Sequence, residues 1–334
     1  MKRPIISLSF VFFLSAALFA ESNTSGKVFF NHSTDLSENG INAFNMKRAY
    51  LTLDNDVNES VSYNVTYDIG NNYGGSAHTA FLKVAMVKWK TSLGNVMIGM
   101  QGMNMFKTME NTWGHRFIAK MPMDTYGYSA SADLGIGLGR SFGPISSSIL
   151  ITNGGGYKKA ESDSHKKLSV HAVYGESKLN KKNGFNGGLS ISMEPYDKDS
   201  LATENTNVTG IFMGYARNGF RGGFEFDTKT QEDVSGQIFC IYATYKINDK
   251  LSILARLDKV DANTSKDSDR IQATIAGLHY IVAKGLTFAP TVRVKAPEDG
   301  DSENSISARV HSPVNSFCRA FISKWSIPRP ILSL

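Results

Sequence analysis

A period of two runs through this chain and limits what it can become. Over stretches of about ten residues, apolar and polar side chains alternate, and the pattern recurs from near the N-terminus to beyond residue 300. In 61–69, Val61, Tyr63, Val65, Tyr67 and Ile69 share one face of an extended strand, and Ser62, Asn64, Thr66 and Asp68 share the other. In 220–227, Phe220, Phe224 and Phe226 oppose Arg221, Glu225 and Asp227. In 251–258, Leu251, Ile253, Ala255 and Leu257 oppose Ser252, Arg256 and Asp258. Such segments are strands with one apolar face, and a helical reading is excluded by their period.

The alternation predicts strands near 26–33, 43–55, 60–70, 79–91, 94–102, 129–142, 145–153 and 166–177. It continues through 184–194, 205–217, 219–228, 234–247, 250–260, 270–282, 285–295 and 303–310, which makes sixteen strands. An even count suits a bacterial outer-membrane barrel whose two ends lie in the periplasm. Connection lengths supply a second criterion, because such barrels keep short turns on the periplasmic side and long loops outside. Short connections include Ser92-Leu93, Phe142-Gly143-Pro144, Asn218-Gly219 and Ala283-Lys284-Gly285. Long ones, at 71–78, 103–128, 154–165, 195–204, 261–269 and 296–302, alternate with them. The expected fold is all-β, a transmembrane antiparallel β-barrel. A soluble sandwich, jelly roll or β-helix shares the alternation but has no reason to keep that parity.

The N-terminus agrees. Lys2 and Arg3 precede an apolar run over 5–19 that closes on Ala20, the pattern of a secretory signal peptide cleaved after Ala20. No later stretch has the roughly 20 apolar residues of a membrane-spanning helix. With only two cysteines, Cys240 and Cys318, the chain is not a disulfide scaffold. A net charge of +6, with basic residues interleaved among acidic ones, gives no nucleic-acid surface. The expected organisation is a signal peptide over 1–20, an outer-membrane barrel over 21–310, and an atypical tail over 311–334. In that tail the alternation breaks and Pro313, Pro328 and Pro330 appear. Either a shifted reading frame or a genuine extension outside the barrel accounts for it.

Sixteen strands enclose a water-filled channel that wall side chains alone do not fill. Strand charges that would be costly against lipid are therefore expected to face the lumen: Arg48, Asp68, Arg221, Glu225, Arg256, Asp258 and Arg293. Acidic positions, Asp227 among them, are interleaved with the basic ones, so the sequence shows no unbroken basic ladder. The longest connection, 103–128, is rich in Met, Phe and Trp and carries Lys107, His115, Arg116 and Lys120. Apolar side chains of that number are poorly placed in water, so the loop is expected to fold inward, pack on the wall and present those four groups as a constriction. Basic groups at a constriction favour anions. The alternative is a surface loop with solvated charges.

Several segments resemble the phosphate-selective porins O and P. The resemblance is carried by Phe44-Asn45-Met46-Lys47-Arg48-Ala49-Tyr50-Leu51-Thr52-Leu53, Tyr67-Asp68-Ile69-Gly70 and Val87-Lys88-Trp89-Lys90. Ile98-Gly99-Met100-Gln101, Thr152-Asn153-Gly154-Gly155-Gly156-Tyr157 and Ala255-Arg256-Leu257-Asp258 add to it, and it covers most of 26–300. It implies a sixteen-stranded homotrimeric porin in the outer-membrane lipid, with an inward constriction loop passing small hydrophilic solutes, anions and in some members phosphate. No cofactor or metal is expected. The competing class is a barrel enzyme or adhesin without channel activity. For the enzyme, the seven histidines are scattered and neither Gly-x-Ser-x-Gly nor His-Glu-x-x-His occurs. A plugged transporter would need a folded plug ahead of the first strand, where the sequence leaves only 21–25.

Overall fold

The computed structural model describes residues 23–70, 78–161, 163–199 and 202–315. The expected signal peptide and the tail beyond residue 315 lie outside the described residues. Sixteen antiparallel strands close into one barrel. They are β1 (Asn23–Asp35), β2 (Asn42–Asp56), β3 (Val61–Gly70), β4 (Thr79–Thr91), β5 (Gly94–Gly102), β6 (Ala132–Phe142), β7 (Ile145–Thr152) and β8 (Lys167–Gly175). The second half comprises β9 (Gly184–Asp197), β10 (Thr203–Arg217), β11 (Phe220–Gln231), β12 (Val234–Lys246), β13 (Leu251–Asp261), β14 (Arg270–Ala283), β15 (Leu286–Pro297) and β16 (Glu303–Asn315). Two short helices, α1 (Lys107–Trp113) and α2 (Pro122–Thr125), lie in the connection between β5 and β6. Among the described residues no helix is long and apolar enough to cross a membrane. The crossing elements are strands, whose backbone groups pair with their neighbours all round the ring.

The alternation maps onto the wall as its chemistry requires. On β10, Thr209, Ile211, Met213 and Tyr215 are exposed on the outer face, and Val208, Gly210, Phe212, Gly214 and Ala216 are buried on the inner one. On β12, Phe239 and Ile241 point out while Ile238, Cys240 and Tyr242 point in. Outward apolar side chains meet lipid tails, so their exposure is not a defect.

Closure is made by β1 and β16, with Phe29 opposite His311 and Lys27 opposite Pro313. The final strand therefore does not stop near Val310, as the broken alternation suggested, but runs on to Asn315. Its ladder with β15 reaches only to Thr287 opposite His311. Beyond that point β16 pairs on one side alone, a place where a residue without an N–H is tolerated.

Parity also departs from expectation twice. On the long-loop side, β11 and β12 are joined by only Glu232 and Asp233, with Glu232 at φ 52. On the short-turn side, 176–183 forms a longer connection that props the interior: Asn111 donates its Nδ2–H to the Ser177 carbonyl at 3.1 Å. Elsewhere the short turns have the expected chemistry. Asn218 and Gly219 both take positive φ, 51 and 84, the backbone of a tight hairpin turn that follows strand twist.

An arginine placed on the outer face near mid-strand separates a barrel in lipid from a soluble one. Ile241→Arg on β12 should lower unfolding stability by about 2–4 kcal/mol, measured by urea unfolding from phospholipid vesicles.

Candidate functional site

The interior is organised by the chain between β5 and β6, residues 103–131. Met105, Trp113, Met121 and Met123 are fully buried there. The loop is bonded to the wall through its own backbone. Ser190 donates to the Met105 carbonyl at 2.5 Å, Tyr242 to the Met109 carbonyl at 3.3 Å, and Trp113 Nε1–H to the Ala119 carbonyl within the loop at 3.0 Å. Thr108 Oγ1 lies 2.9 Å from His171 Nε2 of β8. On the far side, the Phe117 ring packs on Phe29 of β1 and stacks on His311 of β16 at 5.0 Å. A segment that touches β8 through β12 and also β1 and β16 of a closed ring runs inside it. Helix α1 ends where Gly114 takes φ 71 and donates to the Glu110 carbonyl. The left-handed conformation favours glycine, and a Cβ there would sit 2.7 Å from Arg221 Nη2 and displace that guanidinium.

Several charges expected to line open water instead seat this loop. Arg221 donates Nη2–H to the Trp113 carbonyl at 3.1 Å, and Arg256 donates Nη1–H to the Lys120 carbonyl at 2.7 Å. Asp258 holds Arg256 in a two-pronged bond at 2.7 and 2.8 Å, and Trp113 lies beneath the Arg256 guanidinium at 5.6 Å. Glu225 and Asp258 are on the inward face but sealed beneath the loop. His115 is also turned into the wall, 3% exposed, 3.0 Å from Thr244 Oγ1 and 3.1 Å from Arg221. Burial, reinforced by Arg221 and His279, holds the His115 pKa well below the usual imidazole value. His115 is thus a neutral anchor at pH 7 and supplies no cation to the passage.

Open space remains on the side of the barrel that the loop leaves free. A central cavity of about 580 Å³ is bordered by Lys47 and Arg48 of β2, Arg293 of β15 and Arg309 of β16. From inside the barrel Arg116, Lys120 and Lys158 face it, with the edge of Arg256. No carboxylate borders it among the described residues. An adjoining cavity of about 620 Å³ shares Lys47, Arg293 and Arg309 and opens toward the long loops. A third, about 560 Å³, shares Tyr50, Arg116 and Phe117 and continues toward the short turns past Lys27, Lys83 and Lys107. The three cavities adjoin through these shared residues, with Arg116 bordering both the first and the third.

The cations along these cavities fall into two groups. Arg116 bridges Glu110 at 2.6 Å and Asp124 at 3.0 Å; Lys107 joins Glu110 at 2.7 Å and Lys120 joins Asp124 at 3.0 Å. Burial opposes the charge on Arg116, but Glu110, Tyr50 and Asp124 outweigh it and raise the guanidinium pKa. Likewise burial disfavours the Glu110 carboxylate, and Arg116 and Lys107 prevail and lower its pKa. Arg48 and Lys83 share the buried Asp68, at 3.3 and 3.4 Å, and Tyr157 donates its hydroxyl to the same carboxylate at 2.8 Å. Lys47, Arg293 and Arg309, by contrast, have no carboxylate within ion-pair distance among the described residues. Arg309 donates Nε–H to Thr291 Oγ1 at 3.4 Å, and the buried Nε of Arg293 has no partner.

Of the residues singled out from sequence, Arg48, Arg293, Arg116, Lys120 and the edge of Arg256 converge on the central cavity, Lys107 borders the third cavity, and Asp68 is buried behind Arg48. Lys47, Arg309, Lys83 and Lys158 were not singled out. Arg309 was legible: it alternates with Ser305 and Ser307 against Ile306 and Val310. Lys47 was not, because adjacent residues of a regular strand face opposite ways. It is the extra residue of a bulge, where the register passes from Phe29 opposite Arg48 to Phe30 opposite Met46.

The sequence profile of the phosphate-selective porin O and P family matches residues 28–210. The chain belongs to that family. It is a porin of the bacterial outer membrane, a passive diffusion channel. No curated protein matches it. Among solved structures, the porin OmpF of Salmonella typhi, in complex with daunomycin, superposes with a TM-score of 0.69 at 12% identity, covering 87% of this chain and 97% of that one. The anion-selective porin of Comamonas acidovorans gives 0.68 at 10%, over 87% and 99%. The channel DcaP of Acinetobacter baumannii gives 0.65 at 11%, over 87% and 96%. At such identities the likeness is one of fold, and the porin's cavity charges come from its own residues.

Removing the central anchor should unseat the loop. Trp113→Ala deletes a buried ring of a kind whose loss from a core costs about 3–5 kcal/mol. Higher single-channel conductance and faster proteolysis between residues 103 and 131 are expected, with the barrel itself still folded by its heat-dependent gel mobility.

Proposed function

We propose that this porin passes small anions in preference to cations, and that its selectivity is set where Lys47, Arg293 and Arg309 face Arg116 and Lys120 across the central cavity. One observation supports this above all. The wall cations are unpaired, while the loop cations opposite them are tied to Glu110 and Asp124, so the surplus charge at the central cavity is positive. A ring of basic groups at a constriction favours anions, and low-dielectric walls strengthen its field. Arg293 borders the cavity with no carboxylate within ion-pair distance among the described residues, and a guanidinium is a group that pairs with oxyanions. Phosphate belongs to the solute class, consistent with the family. A homotrimer embedded in outer-membrane lipid is part of the same proposal; the Vibrio cholerae outer-membrane protein OmpT, of like fold, is described in a trimer form.

Charge arithmetic sets the expected effect. A unit charge at roughly 8 Å in water biases an ion by about 0.5 kcal/mol. Removing one cation therefore changes anion and cation entry about twofold each, in opposite senses, and their ratio about fivefold. Arg293→Gln and Arg309→Gln, singly and together, should lower the anion-to-cation permeability ratio in planar bilayers in that stepwise manner, and weaken any block by added phosphate. The preference should also fade between about 0.1 and 1 M salt, as the Debye length contracts from ~10 to ~3 Å. Variants that keep the parent ratio would remove these arginines from the selectivity site.

A further inference from the structure

The outer wall carries a groove that the pore does not use. It lies on β11 to β15 toward the long-loop end, has a volume of about 360 Å³, and is bordered by Phe226, Phe239, Lys259, Gln272 and Ala296, with the ion-paired Asp261, Arg270 and Glu298 along its rim side. The register aligns these side chains in one row across the sheet: Phe226 opposite Phe239, Phe239 opposite Lys259, Lys259 opposite Gln272, Gln272 opposite Ala296. One step toward the barrel's middle the row is Phe224, Ile241, Leu257, Thr274 and Val294, lipid-facing and with no charge. One step toward the rim it holds Gln237, Asp261 and Arg270. Lys259 is therefore an exposed cation inside the margin of the apolar band, between two phenylalanines and a primary amide.

Its neighbours do not neutralise it. Asp261 bonds Arg270 at 3.1 Å, and Glu298 bonds the same guanidinium at 3.3 Å. Among the described residues no carboxylate lies within ion-pair distance of Lys259. A lysine at this depth carries its ammonium to the headgroup level on its four-carbon stem. What it meets there depends on the leaflet. Long loops face the cell exterior, so the groove opens on the outer leaflet. The lipid of that leaflet is a phosphorylated glycolipid, with anionic phosphates on a sugar headgroup above several acyl chains.

We infer that the groove over Phe226, Phe239, Lys259 and Gln272 is a binding site for the phosphorylated glycolipid of the outer leaflet. Lys259 pairs with a headgroup phosphate, the Gln272 and Gln237 amides bond sugar or phosphate oxygens, and an acyl chain lies along Phe226 and Phe239. Charge complementarity selects this occupant over a zwitterionic phospholipid, which presents its own cation to Lys259. The site rests on the outer-membrane location alone and is independent of the charge preference of the pore.

The purified, lipid-stripped porin is titrated with lipopolysaccharide, with the same glycolipid after phosphatase treatment, and with phosphatidylethanolamine, and retention is read by native mass spectrometry. The intact glycolipid should be retained at least fivefold more than the other two. Lys259→Gln should abolish the difference, and Lys259→Arg should keep it. Heat-dependent gel mobility confirms that each variant is folded. Equal retention of the dephosphorylated glycolipid, or a Lys259→Gln protein that binds as the parent does, would overturn the proposal. So would a change of oligomeric state in Lys259→Gln with retention intact, because the groove would then be a contact between copies of the chain. Anion permeability is read on the same preparations, so that failure of the lipid site and failure of the pore reading are told apart.

Discussion

The pairing of β1 with β16 is the constraint on which everything else rests. In hydrocarbon an unpaired strand edge has no water to satisfy it, so a sheet that crosses a membrane must close. Here the ends meet over a full ladder from Ser25 opposite Asn315 to Asp35 opposite Ser305. Closure also brings β15, β16, β1 and β2 side by side, and with them Arg293, Arg309, Lys47 and Arg48. The basic wall is a consequence of ring topology, since residues some 260 positions apart in sequence become neighbours only across the seam.

A closed ring of sixteen strands is too wide to be filled by its own side chains, and the 103–131 loop resolves this asymmetrically. Its Met and Trp side chains bury against one side, and wall residues reach in to satisfy its carbonyls. Charges on that side are consumed by structure: Arg221 and Arg256 are spent on backbone oxygens, and Asp258 is spent on Arg256. On the opposite side Arg48 is paired with Asp68, whereas Lys47, Arg293 and Arg309 have no carboxylate within ion-pair distance among the described residues. One loop thereby divides a ring of mixed charge into a packed side and an open one whose central cavity is bordered by basic residues.

Strand positions were legible in sequence because a period of two and turn residues depend on nearest neighbours. β4 and β5 have the bounds that the alternation assigns them, 79–91 and 94–102. Less legible were features set by distant partners. Pro313 looked like a strand breaker because the sequence does not reveal that β16 outruns β15 there. The expected lumen set mixed acids with bases because face alone was readable; whether a residue on that face is covered depends on where the loop lies. Glu225 and Arg293 look alike by alternation, and only the first is sealed. His115 joined the loop's cations by residue type, but burial against Thr244 and Arg221 leaves it neutral.

The sign of one voltage tests the basic lining of the pore most directly. The mature porin is inserted in a neutral planar bilayer between potassium chloride solutions that differ tenfold in concentration, and the zero-current potential of single channels is recorded. Stepwise conductance with a potential of the sign set by chloride permeation is the predicted result. A potential of the opposite sign would contradict a basic eyelet, and a folded protein that never conducts would contradict an open route past Arg116.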